Sequence, residues 1–542
     1  MSRVFKLILL VGFLVLTARL IDVSVIRGNY FKDLADLNRV REIPIHAPRG
    51  EIFDRIGNKI AENVEKKKVL VFEKGKPVTF QDSDKITDPE KEVLVSIYVR
   101  NYPEGQFAAH TVGLIGETTA EEVGKSGCPG SILTLGDTVG RTGAEKSFDC
   151  VLRGKNGSEL VEVDSHGNKV RVLGRHEPQK GKDIHLSIDL GLQRSATEAL
   201  AGRPGAVIVS NPRTGEVLAL VSSPSFDPNR ISADFELISA NPNNPLFNRA
   251  IGGRYPPGST FKIVSAAAGL ETGAVDERST FTDPGVIKIG VFEYSNWYFT
   301  QYGKLEGELG LVRAITRSTD TFFYKVGEWV GVSKLAEWAR KFGFGEKTGI
   351  ELSGEIDGVV PTSEWKERER GERWFLGNTY HMAIGQGDVA ASPLQVNQMT
   401  SVIASGGKLC KPTVVDRGQG TGNSCKPIGI SDKTVDLIKQ GMIGACSTGG
   451  TAFPFFDFKV GERQVPVACK TGTAEFGDPE KRTHAWLTAF TPAYAEASAG
   501  KPADPPAGGP EIVVTALVEA GGEGSYIAAP VAKKVIEEWF KR

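Results

Sequence analysis

The sequence predicts an α+β chain in three parts: one amino-terminal membrane helix, a small mostly-β pedestal, and a larger domain in which an antiparallel sheet is flanked by helices. Three observations carry this. Val4 to Ile26 is apolar apart from Lys6, Arg19 and Asp22, long enough to cross a bilayer with its cations snorkelling. Between residues 28 and 183 short apolar runs alternate with turn residues, and few helical periods appear. From 184 onward a strand pair precedes a buried apolar helix, and more strands return near the carboxyl end. Sequential strand pairs of this kind make antiparallel sheets. The boundaries expected are 1–27, 28–183 and 184–542.

Composition narrows the class. Of 542 residues, 40% are hydrophobic and 24% charged, with a formal net charge of −1. These fractions are ordinary for a globular protein, and the balance offers no surface for nucleic acid. Six cysteines in this length make no disulfide framework, and their spacing matches no zinc site. Cys410 and Cys425 flank a Gly-rich loop and are expected as free buried thiols, unless an oxidising compartment pairs them.

The amino-terminal stretch is read as an uncleaved anchor rather than a signal peptide. Cleavage after Ala18 would put Leu16 at −3, where a small residue is needed. Arg3 and Lys6 favour a cytoplasmic amino end, so the rest of the chain is expected outside the cytoplasm. Asn29 to Arg41 is an amphipathic helix ended by Pro44. Residues 47–61 form a hairpin turning at Ile56-Gly57-Asn58, with Arg49, Asp54 and Arg55 as an ion-pair cluster. Gly136 to Glu145 reads as a glycine turn capping a helix, and strands are expected at 159–163 and 169–173. No reaction suggests itself here, so the part is a spacer or docking module.

After a polar boundary at 179–183, a strand (184–188) leads into a helix (190–200). Residues 205–222 are two strands about a Pro212–Gly215 turn. Tyr255-Pro-Pro-Gly-Ser259-Thr-Phe-Lys262 follows, a rigid turn that enters the apolar run from Ile263. Positions i and i+3 share a helix face, which brings Ser259 and Lys262 together. A serine hydroxyl needs a neighbour to take its proton. Burial and the positive end of a helix both disfavour a charged lysine and would make Lys262 that base. The same spacing would also suit a capping serine beside an incidental lysine. Ser363/Lys366, Ser405/Lys408 and Ser498/Lys501 repeat it in charged or loop-like sequence.

A helix is expected over 311–330. It carries Ser318 and Asp320, which on regular helix would not share a face, so a role in a cleft requires a local loop. Residues 465–474 are strand-like and hold Lys470-Thr471-Gly472-Thr473. Glycine within a strand marks a close backbone approach, here assigned to a peptide ligand, and the lysine with its hydroxyls suits a carboxylate. A second Lys-Thr-Gly at Lys347 is read as a turn. Residues 483–490 should pair with the Lys470 strand. Thr491 to Pro510 reads as a long flexible loop, 511–519 as a final strand and 529–540 as a closing helix.

Taken in order, Ser259-x-x-Lys262, Ser318-x-Asp320 and Lys470-Thr-Gly resemble the signature set of penicillin-binding proteins and serine β-lactamases. With Ala47-Pro-Arg-Gly-Glu-Ile-Phe-Asp-Arg55, Gly140-Arg-Thr-Gly-Ala-Glu145 and Ala383-Ile-Gly-Gln-Gly-Asp388, the chain resembles a class B penicillin-binding protein over nearly its whole length. The resemblance implies a transpeptidase fold and a D,D-transpeptidase acting on peptidoglycan stem peptides ending in D-Ala-D-Ala. It implies Ser259 as nucleophile, Lys262 as its base, Ser318 as proton relay, and Lys470, Thr471, Gly472 and Thr473 around the donor carboxylate. The N–H groups of Ser259 and Thr473 would form the oxyanion hole, β-lactams would acylate Ser259, and no metal or other cofactor is called for. The implied setting is a bacterial cytoplasmic membrane, with a polytopic glycan-polymerising transferase as partner.

Two departures stand out. The middle motif ends in Asp320 where the family pattern has an amide, which resembles the elongation-type branch, as does Gly113-Leu-Ile-Gly-Glu117. Only residues 62–99 separate the first hairpin from Arg100-Asn-Tyr-Pro103, where family members carry a longer head. A β-lactamase or carboxypeptidase would use the same motifs, but needs neither anchor nor pedestal. The motifs would also suit a division-type enzyme, or a non-catalytic penicillin-binding scaffold or sensor.

Overall fold

In the computed structural model, residues 3–71, 79–82, 93–129, 131–134, 136–163, 169–416, 425–491 and 512–541 are described. The predicted loop 491–510 falls almost wholly outside them, as does the Gly-rich segment 417–424. Helix Arg3–Ile26 has a mean hydropathy of 2.3 and buries none of its apolar window against protein. By length and composition it can cross a membrane. A second helix, Gly28–Arg39, follows.

The expected first hairpin forms with Gly57 at φ +95° in its turn, pairing Ile52 with Ala61 and Phe53 with Lys59. Its charges sort differently from the expected cluster. Asp54 accepts from the Ile56 and Asn58 N–H groups and from the Asn58 amide, so it closes the turn. Arg49 turns the other way, to Glu145 (2.6 Å) and Asp149 (2.8 Å). Arg100 takes the second oxygen of Glu145 at 2.7 Å. Glu145 is fully buried, and a buried carboxylate requires such partners. Strand Ile184–His185 pairs in parallel with Ile52–Phe53, so the chain re-enters beside the hairpin before it moves on.

The carboxyl-terminal sheet has the order Val217–Ser223, Gly205–Ser210, Val513–Val518, Thr483–Phe490, Ala468–Glu475, antiparallel throughout. Alternate residues of its strands enter two different cores. Trp486, Leu517 and Ala468 join the core that contains Lys262–Glu271 and Pro393–Ala404. Leu487, Ala516 and Cys469 join the core under Leu190–Leu200 and Ala528–Phe540. A sheet covered on both faces explains why its strands read as nearly continuous apolar runs. A third core mixes Ile52 and Ile60 of the first hairpin with Ala206, Ile208 and Leu220 of this sheet.

The cysteine expectation is corrected. Cys128–Cys150, Cys410–Cys425 and Cys446–Cys469 are all disulfides, with no free cysteine among the described residues. Their separations of 22, 15 and 23 residues carry no local signature. Pairing follows from tertiary placement, as where Cys410 and Cys425 face each other across a two-stranded ladder.

Candidate active site

Ser259 lies in a tight turn, Gly258–Phe261, and Lys262 opens the helix that follows. Gly258 makes this turn possible. Its φ is +55°, and a Cβ there would stand 3.0 Å from both the Thr473 carbonyl and the Ala474 methyl. The serine turn is therefore pressed against the Lys470 strand. Gly472 does the same from the strand side: a Cβ would meet Trp486 at 3.0 Å, Thr260 at 3.1 Å and the Pro257 carbonyl at 3.3 Å. The close approach expected for a ligand at Gly472 is thus made by the chain's own serine turn. Helix Asp432–Ala445 and the neighbouring strand Thr483–Phe490 pack against this strand, and its outer edge carries no further strand among the described residues.

The predicted helix 311–330 is broken where the cleft needs it. Leu311–Arg317 ends with Ser318 at φ +56°, ψ +39°, and Asp320–Val330 starts a new helix. A non-glycine residue in the left-handed region costs free energy and marks a position held by its surroundings. The break aims Ser318 and Asp320 at the same point. Lys262 Nζ donates to the Ser318 carbonyl (2.8 Å), to Ser318 Oγ (3.2 Å) and to Asp320 Oδ1 (2.6 Å). Lys470 Nζ donates to Ser318 Oγ at 2.8 Å and to the Thr471 carbonyl at 3.0 Å.

Two fully buried lysines thus converge on one serine hydroxyl, with one carboxylate beside them. Burial pushes the Lys262 ammonium below its usual range, while Asp320 pulls the other way. Lys470 is driven well down by burial and then by the charge of Lys262. One carboxylate stands beside two buried lysines, so the cluster disfavours two ammonium groups at once, and the pair titrates as a unit. Within this network Lys262 makes no hydrogen bond to Ser259 Oγ; its amine faces Ser318 and Asp320.

Several residues of the site carried no local signal. Thr451 Oγ1 lies 2.8 Å from Thr471 Oγ1 and shares the hydroxyl expected to meet a carboxylate. Trp297 N–H donates to Asp320 Oδ2 at 3.0 Å, and its indole donates to the Arg317 carbonyl at 2.9 Å. Lys347-Thr-Gly is a turn, with Gly349 at φ +80° and Thr348 bonded to Glu355. Lys366, in the charged segment, is buried with two carboxylates, Glu372 and Asp388, as its ion-pair partners. No group of three or more His, Cys, Asp or Glu among the described residues is arranged to hold a metal.

A fully antiparallel sheet with a serine turn on its edge strand, and two lysines meeting at a second serine, define a penicillin-binding transpeptidase. Residues 205–537 match the family described as penicillin binding protein transpeptidase domain, and 93–186 match the penicillin-binding protein dimerisation domain; the chain belongs to the penicillin-binding protein transpeptidase family. It is 32% identical to peptidoglycan D,D-transpeptidase MrdA of Acinetobacter baumannii, over 98% of this chain and 86% of that protein. The MrdA of Escherichia coli is 31% identical over 96% and 90%. Among solved structures, Pseudomonas aeruginosa PBP2 in complex with WCK 5153 is 32% identical, with a TM-score of 0.72 over 92% of this chain and 96% of that one. Helicobacter pylori PBP2 in complex with MreC gives a TM-score of 0.77 at 27% identity, over 92% and 98%. The likeness to the elongation-type branch is borne out by these PBP2 relatives.

Proposed function

We propose that the chain is a peptidoglycan D,D-transpeptidase of cell-wall elongation that works through a Ser259 acyl-enzyme and is acylated by β-lactams. The observation that carries this is the meeting of Lys262, Ser318 and Lys470 at one hydroxyl, directly beside the serine turn. Ser259 Oγ attacks the carbonyl between the two terminal D-alanines of a donor stem peptide while its proton passes to the neutral amine of Lys262. The Ser259 and Thr473 N–H groups hold the oxyanion. When the C–N bond breaks, Ser318 hands a proton to the leaving D-alanine amine and is reprotonated from the lysine pair. An amine of a neighbouring stem peptide then attacks the ester, and its proton returns the Ser259 hydroxyl. Lys470, Thr471 and Thr473 bind the donor carboxylate, and the donor backbone lies along the free edge of Ala468–Glu475.

The proposed organisation is an anchor over 1–27, a pedestal over 28–183 and the catalytic part over 184–542. Arg3–Ile26 would cross the bacterial cytoplasmic membrane once, with the catalytic part outside. One similar structure (TM-score 0.75, 29% identity, 99% of this chain and 98% of that one) belongs to work on coordination of polymerization and crosslinking by a peptidoglycan synthase complex. A glycan-polymerising membrane transferase is accordingly the proposed partner.

Intact-mass and peptide-level analysis after exposure to a penicillin tests the reading. A long-lived adduct on Ser259, absent from Ser259→Ala, is expected. A folded protein that forms none would remove the catalytic reading in favour of a scaffold. Rapid loss of the adduct would make the chain a hydrolase.

A further inference from the structure

Asp283 is a buried carboxylate, 1% exposed, that the reaction above does not use. It makes four hydrogen bonds and joins three segments. Oδ1 accepts from the Gly285 N–H at 2.9 Å and from Thr321 Oγ1 at 2.7 Å. Oδ2 accepts from Asn296 Nδ2 at 2.9 Å and from the Glu306 N–H at 3.0 Å. Gly285 and Glu306 stand at the two ends of an excursion made of the hairpin Val286–Ile289/Phe292–Ser295 and the helix Trp297–Tyr302. Thr321 belongs to the helix that Asp320 opens. Asp283 therefore closes the base of the excursion and ties it to that helix.

The tie is transmitted to the lysine. Asn296 is fully buried, and each end of its amide has one partner: Nδ2 donates to Asp283 and Oδ1 accepts the Asp320 N–H at 3.1 Å. The next residue, Trp297, donates its N–H to Asp320 Oδ2. Asn296 and Trp297 thus grip Asp320 by backbone and side chain, leaving Oδ1 aimed at Lys262. A carboxylate in the first turn of a helix would otherwise be free to turn toward the unpaired N–H groups of its own helix. We infer that Asp283 and Asn296 are positioning residues of the transpeptidase site, which set the reactive geometry of Lys262 by fixing the rotamer of Asp320. The inference rests on the reading of Lys262 as proton acceptor for Ser259.

The charged groups that face Lys262 are Asp320 and Lys470, with Ser318 between the two lysines. Releasing Asp320 withdraws the carboxylate that favours the ammonium form, so the free amine would appear at lower pH but in a looser position. The test is the second-order rate of acylation by a fluorescent penicillin, followed against pH on the detergent-solubilised full chain. Wild type, Asp283→Asn and Thr321→Val are compared, with thermal unfolding in parallel. Both variants should slow acylation, Asp283→Asn by about 10–100-fold and Thr321→Val by less. In both, the rising limb of the pH–rate profile should move to lower pH. A merely structural role would scale the rate with the folded fraction and leave the limb in place, which would overturn the inference. Rates within about twofold of wild type would overturn it too. If Asp283→Asn does not fold, Thr321→Val decides by the same two readouts. If wild type forms no Ser259 adduct, the catalytic reading fails and takes this inference with it; an adduct on wild type with unaffected variants removes only the positioning role.

Discussion

Ser318 Oγ accepts a 2.8 Å hydrogen bond from Lys470 Nζ across 152 residues of chain. The same oxygen lies 3.2 Å from Lys262 Nζ, so one hydroxyl joins the serine helix to the edge strand. Ser318→Ala should leave both lysine side chains without this shared partner and interrupt the proton path. Acylation by a penicillin is expected to fall by roughly 10²–10⁴-fold, with far-UV circular dichroism unchanged. Stopped-flow acylation kinetics measure this, and a rate near that of wild type would exclude the relay.

Gly472 should tolerate no side chain. A Cβ would press on Trp486 and on the serine turn at 3.0–3.3 Å, and overpacking of this kind costs about 1–3 kcal/mol. Because the clash falls on the turn that carries Ser259, Gly472→Ala should slow acylation by more than its loss of stability accounts for. Chemical denaturation and acylation rate on the same sample separate the two.

Cys446–Cys469 ends one residue before Lys470 and ties that strand to the end of helix Asp432–Ala445. A 23-residue closed loop corresponds to about 3 kcal/mol of stabilisation in the chain-entropy treatment. Cys446→Ala/Cys469→Ala should lower Tm accordingly, as read by calorimetry. An unchanged Tm would mean that packing alone holds the strand.

His484 is the second residue of the strand next to the Lys470 strand, buried against Phe476 with its ring 4.0 Å away. Its Nδ1 accepts the Ala520 N–H at 3.1 Å, which requires the neutral ring. Burial is the main cause that lowers its pKa to about 4. Below an unfolded value near 6.5 the unfolded chain takes up a proton that the folded chain refuses. Stability is thus complete above pH ~6.5 and falls by roughly 3 kcal/mol as pH drops to ~4. His484→Gln should flatten that slope in urea unfolding followed from neutral to acid pH; an unaltered slope would assign the loss to other groups.

The amino-terminal apolar helix, the first hairpin, the Leu190–Leu200 helix, the serine turn and the closing strands were legible because each is announced locally, by an apolar run, by turn residues or by a breaker before a helix. Ser259, Lys262 and Lys470 stood out for the same reason, and their order along the chain carried the family. What lay beyond reach depends on pairs far apart in sequence. The break at Ser318 shows it well. Residues 311–330 have helical composition throughout, yet Lys262 and Lys470 draw Ser318 into the left-handed region, and nothing local records those partners. The disulfides likewise form between cysteines with no motif spacing. Arg49 took Glu145, 96 residues away, over the nearby Asp54. Asp283, Asn296, Trp297 and Thr451 were silent because single buried polar residues acquire meaning only from the atoms packed around them. The sequence by itself determined which elements form and which residues have reactive chemistry. Only the tertiary structure decided which polar groups share a desolvated point, because burial and pairing energies depend on distances that chain order does not contain.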